Sequence, residues 1–115
     1  MTLKPFDPDS WTDAIALAYQ HLAEARQGLF DAVAEETRAR CELEADRIVL
    51  IIGGITGKNA EEREASLRHE LAGKYRALEE STAKTAEERL DYDLAGLEVD
   101  RIKLTIRALE LDAGK

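Results

Sequence analysis

A chain of 115 residues that is 44% hydrophobic, 35% charged and only 5% aromatic has the length of one domain and the composition of long helices. Its net charge of −8 disfavours direct nucleic-acid binding through phosphate contacts, and its single cysteine excludes an internal disulfide and a thiolate metal cluster. The opening residues lack a signal-peptide pattern and the longest apolar run, residues 48–52, is far too short to span a bilayer, so a soluble cytoplasmic protein without membrane association is expected.

The first helix is predicted over about residues 10–52. In "KPFDPDSWTDAIALAY", Asp7 before Pro8 fits an N-cap and first helical residue, while Ser10 with Asp13 offers a second cap. Trp11, Ile15, Ala18, Leu22, Ala25, Leu29 and Ala32 then alternate spacings of four and three, the seam of packed helices. Near Gly28, the expected site of a bend, the apolar face is expected to shift phase onto Phe30, Val33, Thr37, Cys41, Ala45, Ile48, Ile52 and Ile55. That phase puts Cys41 on an apolar face as a buried, inert thiol.

"RIVLIIGGITGKNAEER" has the look of a strand feeding a phosphate loop. The loop needs G-x-x-x-x-G-K-[ST], but Gly53 lies one residue too close to Gly57-Lys58, and Asn59 stands where the magnesium-binding hydroxyl belongs. A strand here would also have no second strand to satisfy its backbone. The segment is therefore read as a helix end, a turn over residues 53–58, and a new start in which Asn59 caps and Glu62 completes a capping box.

A second helical arm is predicted over about 59–112. Leu67, Leu71, Tyr75 and Leu78 mark its first face. The small and β-branched residues of "EESTAKTAEER", with Thr85 and Glu88 spaced as another capping box, make a break near 81–85 the alternative to a continuous helix. Beyond it run two stripes: Leu90, Leu94, Leu97, Leu104, Ala108 and Leu111, and Val99, Ile102, Ile106 and Leu109. Gly114 suits the final cap.

A two-helix hairpin buries one seam per helix, so the surplus stripe predicts self-association, most simply as a homodimer. The candidate residues are Leu97, Ile102 and Ile106, with Leu97 expected to stabilise the hairpin and Ile106 to face the partner. Residues 87–100 carry six acids against one arginine. Glu87, Asp91 and Glu98 are the candidate contacts of a basic partner, weighed against an ordinary solvated face favoured by a helix N-terminus.

No pattern supports catalysis or a cofactor. The positions three before His21 and His69 are Ala18 and Ser66, where a di-iron bundle needs glutamates, and "HEL" at 69–71 lacks the second histidine of a zinc-protease helix. Both histidines are expected at the surface or its boundary. The fold class predicted is all-α, a long helical hairpin of bundle or coiled-coil type, without catalytic, cofactor or metal residues.

"GITGKNAEEREASLRHEL" and the Leu/Ala/Glu/Arg-rich helix after it, about residues 53–80, resemble small all-helical accessory proteins of bacteriophage and prophage genomes. The resemblance implies a helical fold and a role in phage DNA metabolism or in countering host defence. It transfers no site residues. The expected function is a non-enzymatic protein-interaction module, an adaptor or inhibitor that occupies a macromolecular partner. The alternative is a nucleic-acid-associated factor whose Arg38, Arg40, Arg47, Arg101, Lys103 and Arg107 converge on folding.

Overall fold

A computed structural model describes residues 7–114. Every regular element among them is helical: α1 (Pro8–Ile52), α2 (Ala60–Glu70) and α3 (Ala72–Ala113) form an all-α helical hairpin. Packing divides the chain into two units, one from the residues up to Leu29 with those from Glu88 onward, the other Phe30–Glu87. Within each, α1 runs antiparallel to α3. In the first, Leu22 lies against Gly96 and Gly28 against Glu88; in the second, Ala32 meets Thr85 and Glu42 meets Lys74.

Of the two possible starts for α1, the chain uses Asp7 and Pro8. The Asp7 carboxylate accepts from the Asp9 amide at 3.2 Å, and Pro8 occupies a position whose amide would have no helical partner. At the far end Gly53 N–H bonds Val49 O at 2.9 Å, and Gly54, at φ +87°, takes the left-handed conformation that ends the helix. The segment "RIVLII" is helical, as its periodicity predicts.

The turn to α2 is tied from both sides. Asn59 accepts from the Glu62 amide at 2.9 Å, Glu62 accepts from the Lys58 amide at 2.7 Å, and Ser66 Oγ donates to Thr56 O at 3.0 Å. Gly57 is required here: a Cβ would stand 2.7 Å from the Arg63 backbone nitrogen.

The second arm does break, but not at 81–85. The interruption is at Leu71, where φ −109° and ψ 26° leave helical values for one residue. The ladder nearly continues through it, since Leu71 N–H bonds Leu67 O at 2.9 Å and Tyr75 N–H bonds Leu71 O at 3.0 Å. Thr85 caps nothing. It is buried within α3, and its hydroxyl lies 3.0 Å from Ser81 O and 3.2 Å from Ala32 O, a side chain bonded back along its own helix and across to α1.

The phase shift expected in α1 also does not occur. The covered positions of the Phe30–Glu87 unit on α1 are Ala32, Glu36, Ala39, Leu43, Asp46, Arg47 and Leu50, which prolong the alternation of four and three set by Trp11 to Leu29. Phe30, Val33, Ile48 and Ile52 lie outside this seam, with Phe30 69% and Ile52 81% exposed. Cys41 is accordingly exposed, not buried. Small alanines let the helices approach closely, so the seam needs regular spacing more than large side chains.

Candidate interaction surfaces

In the unit that pairs the first half of α1 with the later part of α3, Ala18, Val99 and Ile102 form the core, with Trp11, Ile15, Leu22 and Ile106 packed around them. This reverses the expected roles of the two α3 stripes. Ile102 is buried and Ile106, partly buried, packs against the same core, so both contribute to the intramolecular packing of this unit. Leu97 points away, 64% exposed, in line with Leu90, Leu94, Leu104 and Leu111, all more than half exposed. At about 100° per residue these leucines lie roughly 180° around α3 from Val99, Ile102 and Ile106. The helix thus has two apolar faces, and the hairpin uses one.

The other unit has two exposed apolar groups on α1: Phe30 with Val33 and, about 22 Å further along the helix, Ile48 and Ile52 with Val49 and Ile51 at the helix end. Groups of exposed apolar side chains of this kind mark interaction surfaces.

One polar cluster ties the three helices of the Phe30–Glu87 unit together. Arg47 of α1 makes a bidentate contact with Glu64 of α2, at 2.8 and 3.1 Å, and also donates to the Tyr75 hydroxyl of α3. Tyr75 Oη lies 3.4 Å from Glu64, and the Arg68 guanidinium stands over the Tyr75 ring at 4.8 Å. The hydrogen bond from Arg47 holds the Glu64 carboxyl below its usual range, and the same contact raises Arg47 further above its already high value. Lys74 adds a looser tie to Glu42 at 3.2 Å and Asp46 at 3.9 Å.

The acidic candidates are exposed but not bare. Glu87 lies 3.8 Å from Lys84. Glu98 binds Arg101 at 2.6 and 3.0 Å, which lowers the Glu98 carboxyl pKa and raises that of Arg101. Asp91 is exposed on α3. Four of the six basic candidates are similarly engaged: Arg38 with Glu35, Arg40 with Glu36 at 3.9 Å, Arg47 with Glu64, and Arg101 with Glu98, while Lys103 and Arg107 are exposed on α3. His21 and His69 are exposed, as expected.

Among the described residues no group of three or more His, Cys, Asp or Glu side chains is placed to hold a metal ion, and no helix is long and apolar enough to cross a membrane. No protein-family model matches the chain, and neither a curated protein nor a solved structure is significantly similar to it. The Arg47–Glu64–Tyr75 cluster has no signature in the sequence, because Glu64 and Tyr75 lie 17 and 28 positions from Arg47 and none of the three belongs to a local motif.

Proposed function

We propose that this chain is a non-enzymatic helical protein-interaction module, an adaptor or inhibitor of the phage-accessory kind that acts by occupying a protein partner. The observation that carries the reading is the pair of apolar helix faces left outside the hairpin's own packing, on α1 at Phe30, Val33, Ile48 and Ile52 and on α3 at Leu90 to Leu111. Burial of such side chains is the main favourable term in protein association. The engagement of Arg38, Arg40, Arg47 and Arg101 by carboxylates supports this over the nucleic-acid alternative, since a guanidinium already paired has less to offer a phosphate.

The test compares the wild-type chain with Ile48→Asp/Ile52→Asp as bait in a pull-down from its native host, with circular dichroism to establish that the variant keeps its helicity. Proteins captured by the wild type and lost from the variant support the reading at the α1 face. An identical set on both baits removes that face from consideration, and salt-sensitive DNA binding by the wild type would favour the alternative.

A further inference from the structure

The leucines of the outer α3 face repeat with a regularity the hairpin itself does not need. Leu90, Leu97, Leu104 and Leu111 stand seven apart, with Leu94, Arg101 and Ala108 at the intervening positions. That is a second heptad seam, on the side of the helix opposite the first, and heptad seams of this kind are filled by another helix. The stripe is about 31 Å long at 1.5 Å per residue. With its flanking side chains it offers on the order of 500 Å² per copy, at the low end of specific interfaces.

Charge decides which helix fits. From residue 87 to 98 the helix carries five acids and one base, whereas from 99 to 112 it carries three of each, with the bases at 101, 103 and 107. A parallel second copy would set each charge beside its own duplicate, acid on acid and base on base. An antiparallel copy centred between Asp100 and Arg101 brings Leu97 level with the second copy's Leu104 and Leu90 level with its Leu111. It also sets Asp93 near the second copy's Arg107, a contact that occurs twice by symmetry. Arg101 is the one charged residue within the stripe, and a single polar seam position of this kind specifies register and orientation.

We infer that the outer face of α3 is a self-association surface on which a second copy of this chain docks antiparallel, Leu97 against Leu104 and Leu90 against Leu111. The inference rests on the interaction-module reading and names the occupant of one of its two faces; the α1 face is left for the heterologous partner.

Three measurements test it. Sedimentation equilibrium of the wild-type chain is expected to show a dimer at tens of micromolar and a monomer for Leu97→Asp/Leu104→Asp. Arg107→Asp is expected to weaken the dimer at least tenfold, and Asp93→Arg in the same chain to restore it, a rescue that a parallel pair would not give. For orientation, single-cysteine chains Leu90→Cys and Leu111→Cys are made in a Cys41→Ser background, with one chain tagged to differ in size. Oxidation of the mixture is expected to give the 90-to-111 disulfide. In the antiparallel pair the two copies of residue 90 lie about 31 Å apart, far beyond disulfide reach. Disulfides only between like chains would overturn the inference, and so would a wild-type monomer at 100 micromolar. A monomer whose captured partner is still lost with Ile48→Asp/Ile52→Asp would overturn the inference while the module reading stands; unchanged capture by that variant beside an intact dimer would count against the α1 face alone and support the inference.

Discussion

Leu43 and Ile48 separate the two possible phases of α1. Leu43 is 3% exposed and lies on the seam that continues from Trp11; Ile48 is 54% exposed and lies on the face that a phase shift would have buried. Replacing a buried leucine by alanine removes its transfer free energy and leaves a cavity, a loss of about 3 kcal/mol for Leu43→Ala. Ile48 has less than half its side chain to lose, about 1 kcal/mol. Alanine's better helix propensity returns a few tenths of that, so Ile48→Ala should cost less than about 1 kcal/mol. Urea unfolding followed by far-ultraviolet circular dichroism measures both, at one fixed protein concentration so that any self-association contributes equally. The Leu43→Ala midpoint should fall well below that of Ile48→Ala, with the slope unchanged. Equal losses, or a larger loss for Ile48→Ala, would refute the continuous seam and restore the shifted one.

Thr85→Val keeps the buried shape and removes the hydroxyl that reaches Ala32 O, and should cost about 1 kcal/mol in the same unfolding assay, whereas a capping role would show as lost helicity in α3. Gly28→Ala places a methyl 2.6 Å from the Glu88 carboxylate oxygen, but that is the end of a flexible side chain, so relief of glycine's helix penalty should dominate and thermal unfolding should rise by up to about 1 kcal/mol in stability. Gly57→Ala, which meets backbone instead, should lower the melting temperature. Because the folded Glu64 carboxyl lies below its unfolded value of about 4.3, its contribution is fully present above that pH and is lost as pH falls through the folded value. Stability measured from pH 6 to pH 2.5 should therefore fall less steeply at the acid end for Glu64→Gln than for the wild type; parallel curves would show that the Arg47 contact adds nothing.

Much of the hairpin is legible before folding. The Gly53–Gly54 stop and the Asn59 cap are local chemistry, decided by residues within a turn of one another, and each stands where its motif places it, while the Asp7–Pro8 start is one of two that the local motifs allowed. The seam from Trp11 to Ala32 is equally plain, since helical period alone defines it. What the chain leaves open is which apolar residues a neighbouring helix will cover. Phe30, Val33, Ile48 and Ile52 outweigh Ala39 and Leu43 in hydrophobicity, and Leu97 matches Ile102, yet the exposed member of each comparison is the one that hydrophobicity would have buried or could not rank. Two helices in contact must keep a common register along their length, and that constraint belongs to the pair, not to either segment. The cluster of Arg47, Glu64 and Tyr75 is likewise tertiary: three side chains far apart in sequence meet only because α1, α2 and α3 bring them within hydrogen-bond reach. Local sequence determined where these helices start and stop; the packing of one helix on another decided which of their faces are covered, because coverage requires the partner's surface as well as the residue's own.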